Sequence, residues 1–221
     1  MIIPPRGSTN MSDIINIPLF PVNLFKIRMR NHKKIKNYIV NTVVPNFEKH
    51  GPNDKNSKAY TDYVPGAIDA PWKILSTFYD EDIQDFLKKT GVNFDKGWTY
   101  KVTCWYGLMT NSTTQFVHDH IGGPTTIQWS GVHYVVLDEK SSGTIFLNPN
   151  SKLMKAVMPT KNYNEIPEIY FPVEQGVIVE EGDMVFFPSW LEHHTPSHTT
   201  DSLRAVVALN IMLRYDNKDG Y

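Results

Sequence analysis

A chain of 221 residues with 41% hydrophobic and 12% aromatic content has the apolar mass for one packed domain, β-rich on its aromatic share. Its net charge of −1 supplies no broad field for nucleic acid or anionic membrane, although Arg28 to Lys36 forms a local basic patch. No apolar run is long enough to span a bilayer, the first residues lack a signal-peptide core, and the single cysteine, Cys104, cannot close an internal disulfide; the expected location is the reducing cytoplasm.

Residues 1–13 are polar, with Pro4, Pro5 and Gly7, and predict a flexible start ahead of one unit over 14–221. Pro18 and Pro21 keep Ile14 to Phe25 extended. Lys34 to Lys49 places Ile35, Tyr38, Ile39, Val43 and Phe47 on one helical face, with an end or kink expected near Pro45. Gly51 and Pro52 make a loop, and Trp72 to Leu75 opens another ordered stretch. Asp80 to Thr90 reads as a helix capped by Asp80 or Asp82, with Ile83 and Phe86 or Leu87 inward and Gly91 as its stop.

From Gly97 short β-branched and aromatic runs alternate with turn residues: Thr99 to Leu108, Gln115 to His120, Thr126 to Leu137, Gly143 to Leu147, Val177 to Glu180, Met184 to Pro188 and Arg204 to Leu213. That pattern predicts a sandwich or barrel over 97–215 beneath a helical part at 14–96. Cys104 sits within an apolar run and reads as a small buried group. Pro149 to Pro172 carries four prolines and is long for a connection, which marks it as functional or mobile.

His118 and His120 stand two apart near the end of a β-type run, so both imidazoles can reach one ion while Asp119 points away. A third imidazole is available at His193. Three ligands on one face leave iron open positions for a co-substrate and dioxygen. Such an iron site commonly has two histidines and a carboxylate, so either a third histidine replaces the carboxylate or Asp119 supplies it through irregular strand geometry. By themselves two histidines on a strand are more often a surface pair. His32, His50, His133, His194 and His198 read as ordinary polar residues.

Arg204 strengthens the case. It opens the last strand, and alternation sets Val206, Ala208 and Asn210 on its face, leaving room for a ligand. A planar guanidinium pairs bidentately with a carboxylate, and the Tyr134 hydroxyl can donate to the same group.

Taken together, His118-x-His120, Trp129-Ser130-Gly131-Val132-His133-Tyr134-Val135, the run Gly143 to Pro149, the run Gly182 to His193 and the strand Arg204 to Asn210 resemble the 2-oxoglutarate–Fe(II) oxygenase family found in phages and marine bacteria. Pro18-Leu19-Phe20-Pro21-Val22 is similar to the family's opening. The resemblance implies a mainly β double-stranded β-helix, or jelly roll, with an N-terminal α-helical part. It also implies iron(II) held by His118, His120 and His193. The 2-oxoglutarate carboxylate would lie on Arg204, with Tyr134, Tyr106 and Asn210 as further co-substrate candidates. The implied reaction hydroxylates a C–H bond and releases succinate and CO2. A peptide or small-molecule substrate and a virus-encoded origin fit this picture. Two departures stand out: His133 occupies a position where the family often has tyrosine, and the stretch after His120, with Gly122-Gly123-Pro124, is long. Two other readings are a three-histidine dioxygenase that uses no keto acid and a non-catalytic jelly-roll binding protein.

Overall fold

The structure is a computed structural model that describes residues 22–121, 126–138, 141, 143–151 and 172–216. The expected flexible start at 1–13, the Pro18 to Pro21 motif, the Gly122 to Pro124 insertion and most of 149–172 lie outside the described residues.

The strands are β1 (Phe25–Arg28), β2 (Tyr60–Thr61), β3 (Trp98–Met109), β4 (Gln115–His118), β5 (Trp129–Val136), β6 (Ile145–Leu147), β7 (Glu174–Gly176), β8 (Asp183–Pro188), β9 (His193–Thr195) and β10 (Arg204–Tyr215). They form a six-stranded sheet, β1-β8-β5-β10-β3-β2, and a four-stranded sheet, β4-β9-β6-β7. Every pairing between these strands is antiparallel. From β3 the chain alternates between the sheets: β3 large, β4 small, β5 large, β6 and β7 small, β8 large, β9 small, β10 large. This is the double-stranded β-helix, with helices ahead of it in the chain.

Alternation along β10 explains how the large sheet buries both faces. Ala205, Val207, Leu209 and Ile211 point under the helices and join Tyr106, Leu108, Val135 and Phe186 in the main core. Val206 points the other way, into the space between the sheets, with Tyr134, Val185 and Phe187. Gly131 on β5 is required by this packing. A Cβ there would stand 3.0 Å from Phe186 and 3.2 Å from Leu209.

The predicted helix at Lys34 to Lys49 is α1 (His32–Tyr38) and α2 (Val44–His50), joined without a break by a π-helical stretch at Ile39–Val43. The kink expected at Pro45 becomes a widened turn before it, since proline has no N–H to donate and its ring crowds the preceding carbonyl. Ile35, Ile39 and Val43 remain on the buried face. A short α3 (Trp72–Leu75) precedes α4 (Asp80–Lys89), whose Phe86 ring stacks on Phe186 at 4.1 Å. Neither Asp80 nor Asp82 caps α4; the Asp82 carboxylate instead accepts the Arg30 backbone N–H at 3.2 Å and faces its guanidinium at 3.1 Å.

Val177 to Glu180 is not a strand: Val177 and Val179 pack on the inter-sheet core, but the chain turns there, with the Glu180 N–H on Asp183. The strand here is β7, which ends at Gly176, immediately before Val177. Three cations of the basic patch are paired locally, Arg28 against Asp183, Arg30 against Asp82 and Asp85, and Lys36 against Glu181. No helix among the described residues is long and apolar enough to cross a membrane.

Beneath α1, His133 is fully buried, with the Tyr79 hydroxyl 2.9 Å from its Nδ1 and the His32 ring 3.0 Å from its Nε2. The far nitrogen of His32 faces Glu181 at 3.5 Å. A carboxylate only accepts, so each proton along Tyr79–His133–His32–Glu181 points toward Glu181 and both imidazoles are neutral. Burial pushes His133 down to about 3, with His32 and Arg28 adding to the shift; burial also lowers His32, against the opposing pull of Glu181 and with smaller contributions from Lys36 and Arg28. Both histidines therefore bind protons in the unfolded chain, near pH 6.5, before they do in the folded one. Their contribution is complete above about pH 6.5; that of His133 is lost as pH falls from there toward about 3, and that of His32 is likewise lost below 6.5. Each costs roughly 1.4 kcal/mol per pH unit inside its own window. Urea midpoints measured from pH 7.5 to 5 should fall steeply, and His133→Gln should flatten that slope. An equal slope in the variant would contradict this account.

Candidate metal centre and co-substrate cleft

β4 and β9 are neighbours in the small sheet, and their register pairs His118 with His193. Side chains paired across two strands lie on the same face, so the imidazoles converge, with ring centroids 4.3 Å apart. β4 stops at His118, two residues short of the predicted end. His120 follows on a bend, its N–H held by the Ser189 carbonyl at 2.9 Å. The bend, and not the simple alternation of a strand, brings His120 back onto the ion-facing side. His193 is the first residue of β9.

These three side chains each offer one nitrogen, and all three atoms lie within 4.8 Å of one another. Asp119 stands outside the group; its carboxylate accepts the Ile121 N–H at 3.0 Å.

The far side of each ring fixes its tautomer. His118 Nδ1 faces the Phe116 carbonyl at 2.8 Å, His120 Nδ1 faces Asn210 Oδ1 at 2.7 Å, and His193 Nδ1 faces the Leu191 carbonyl at 2.9 Å. An oxygen acceptor at Nδ1 requires the proton there, which leaves each Nε2 with its lone pair; that of His118 accepts the Gln115 amide N–H at 3.4 Å. His120 Nε2 and His193 Nε2 are 3.3 Å apart, with no proton between them. Two facing lone pairs at that range repel unless a cation sits between them. Metal–nitrogen bonds of roughly 2.1 Å hold two imidazole nitrogens about 3 Å apart, so the residues fit a metal ion. Burial, with His118 alongside, pushes His120 down to about 4 and His193 to about 3. Both are neutral at pH 7, with no proton for a metal to displace.

Asn210 also accepts the Ser130 hydroxyl at 2.8 Å, so its amide oxygen is fixed before it orients His120. Asn210→Leu removes that acceptor. Metal affinity should fall 10- to 100-fold, the usual cost of losing such a support. An anaerobic manganese(II) titration reads this, and an unchanged affinity would contradict the role.

The three imidazoles open onto a cleft of about 90 Å³ between the sheets, lined also by Trp105, Met109, Thr144, Val206 and Arg204. Arg204 is fully buried at its inner end, its guanidinium 3.1 Å from Met109 Sδ and over the Tyr134 ring at 5.6 Å. Burial lowers the Arg204 pKa, though not enough to discharge a guanidinium.

The cleft does not take in every co-substrate candidate. Tyr134 donates its hydroxyl to Thr144 Oγ1 at 2.9 Å and accepts the Thr144 N–H at 3.0 Å, so it holds Arg204 by its ring face and Thr144 by its oxygen. Tyr106 points away, under the helices, with its hydroxyl on the Ile68 carbonyl at 2.7 Å. Asn210 serves His120. Sequence reasoning missed Thr144 and Trp105. The signal for Trp105 was its alternation with Met109 along β3.

A buried arginine and three converging imidazoles lie together between the sheets of a jelly roll, the donor set of a candidate metal centre. Residues 103–210 match the family model described as "Putative 2OG-Fe(II) oxygenase". The protein is thus an oxidoreductase that uses iron(II) and 2-oxoglutarate. No curated protein matches the chain in sequence. Among solved structures, a Pseudomonas putida prolyl-4-hydroxylase matches at 10% identity and TM-score 0.54, over 86% of this chain and 92% of that one. HygX from Streptomyces hygroscopicus, with nickel and 2-oxoglutarate bound, matches at 12% identity and TM-score 0.53, over 86% and 83%. The viral collagen prolyl hydroxylase of Paramecium Bursaria Chlorella virus-1 matches at 10% identity and TM-score 0.51, over 86% and 94%. At these identities the likeness is one of fold.

Proposed function

We propose that His118, His120 and His193 hold iron(II) through their Nε2 atoms and that Arg204 anchors the distal carboxylate of 2-oxoglutarate, in an enzyme that hydroxylates its substrate. The observation that carries this reading is the commitment of all three Nδ1 protons to fixed oxygens in three histidines whose ligand atoms lie within 4.8 Å of one another, which leaves the Nε2 lone pairs for an ion. Iron with 2-oxoglutarate supplies the oxidising power for a C–H bond, at the expense of dioxygen and with release of succinate and CO2. The protein's own residues do the positioning. Phe116 and Leu191 carbonyls and Asn210 orient the imidazoles. Arg204 sets the inner end of the co-substrate by a bidentate, charge-assisted pair. Tyr134 keeps that guanidinium and Thr144 in place, and Met109, Val206 and Phe187 surround the site with apolar groups that limit water.

Residues 14–221 act as one catalytic unit in this reading, since the helices and the large sheet share one core. The prolyl hydroxylases among the fold relatives, together with the paired basic patch, favour a peptide or small molecule over nucleic acid, and the lone Cys104 favours a cytoplasmic setting. Protein reconstituted anaerobically with iron(II) and 2-oxoglutarate should release succinate on admission of air, slowly without substrate. Folded, iron-loaded protein that yields no succinate would remove the reading.

A further inference from the structure

On the far side of Trp105 from Arg204 lies a second, open groove of about 530 Å³, lined by Asp62, Tyr63, Asp69, Trp72, Thr103 and Trp105 among others. The two spaces share Tyr63 and Trp105. Register explains the arrangement. On the inward face of β3 and β10, Met109 sits opposite Arg204, Gly107 opposite Val206, Trp105 opposite Ala208 and Thr103 opposite Asn210. The histidine cluster touches this face at Trp105 and Asn210, where the Trp105 ring lies over His120 with centroids 5.8 Å apart and an interplanar angle of 27°. Arg204 thus lies to one side of the metal centre and the groove to the other.

The groove's chemistry is one-sided. Three aromatic rings contribute to it: Tyr63 is 73% exposed and tilted against Trp105 at 5.4 Å, and Trp72 is fixed by its indole N–H on Asp62 at 2.6 Å. Its two ionisable carboxylates differ. Asp62 is committed, since it also accepts backbone N–H groups of Tyr106 and Ala70. Asp69 is exposed, and among the described residues no hydrogen bond or ion pair ends on it. No lysine or arginine is among the described residues that line the groove. A carboxylate beside electron-rich ring faces attracts an organic cation and repels an anion.

We propose that this groove is the substrate subsite and that it binds a protonated amine, with Asp69 as counter-ion and Tyr63, Trp72 and Trp105 as the aromatic wall. This inference rests on the function proposed above, because it takes the histidine cluster as the reacting centre. A substrate whose ammonium group lies on Asp69 presents a carbon further along its chain to the metal past Trp105. The same ammonium chemistry is carried by a free amine or by a lysine side chain in a peptide.

The test uses the full chain loaded with manganese(II) and 2-oxoglutarate, whose binding is checked first by the manganese spin-resonance signal. Tryptophan fluorescence then follows titration with phenethylammonium, with 2-phenylethanol and phenylacetate as neutral and anionic counterparts. A capped Gly-Lys-Gly peptide is compared with capped Gly-norleucine-Gly. Either cation should saturate at least fivefold more tightly than its uncharged counterpart. Asp69→Asn should erase that preference and Asp69→Glu should keep it, and the cation that binds identifies the source. No saturation, equal binding of the uncharged probes, or a preference that survives Asp69→Asn would overturn the subsite while manganese and 2-oxoglutarate still bind. Failure of manganese and 2-oxoglutarate to bind would instead overturn the underlying function, and the subsite with it.

Discussion

Replacing His193 with alanine abolishes metal binding at micromolar concentrations and, with it, succinate formation. His193 is nine-tenths or more buried, is paired in register with His118, and has its Nε2 3.3 Å from that of His120. Removing it leaves two imidazoles and more room for water. A metal site's binding energy is spread over a few ligands, so one ligand contributes roughly 3 kcal/mol, or about two orders of magnitude in affinity. The fold should survive, because the small sheet keeps its backbone ladder and the lost ring is bounded by Phe146 and Phe187, which can close part of the gap. Manganese titration followed by spin resonance reads the affinity, and circular dichroism checks the fold. A folded His193→Ala protein that binds metal as the parent does would show that the imidazole is not a ligand.

Arg204→Met should separate the two halves of the site. Methionine keeps most of the side chain's length and apolar contact with Met109 and the Tyr134 ring but loses the fork of donors. Truncating one partner of a buried, hydrogen-bonded charge pair costs about 2–5 kcal/mol in binding. The dissociation constant for 2-oxoglutarate should therefore rise between about 30- and 4000-fold. Iron affinity should stay within a few fold, since the candidate ligand nitrogens belong to the three imidazoles and not to residue 204. Succinate formation should fall by the same factor at low co-substrate and recover partly at high. An unchanged 2-oxoglutarate affinity in Arg204→Met would move the anchor elsewhere.

Much of this arrangement was legible because alternation is strict where both faces of a strand are buried. The phase of β10 places Arg204, Val206, Ala208 and Asn210 inward from sequence alone, and the structure keeps them there. Phase within one strand does not say which neighbour it faces, and here Tyr106 went astray. It stands opposite Val207, an outward residue, and only the β3–β10 register reveals that its hydroxyl belongs to Ile68. Tyr134 was placed on the correct face, but its hydroxyl is taken by Thr144, the residue just ahead of β6, and the pairing of two positions on different sheets has no signal in either run. His120 reaches the cluster through a bend after His118, so the right residue was reached through the wrong local geometry. His133 and His32, 101 residues apart, read as ordinary polar residues because nothing short-range links them; tertiary packing alone makes them a hydrogen-bonded pair.

The convergence of three imidazoles on one ion is tested most directly by a crystal soaked anaerobically with iron(II) and 2-oxoglutarate. The account predicts a single ion within roughly 2.2 Å of Nε2 of His118, His120 and His193. It also predicts the co-substrate chelated on one side with its distal carboxylate on Arg204. An ion bound through Asp119, or bound away from any of the three rings, would contradict it.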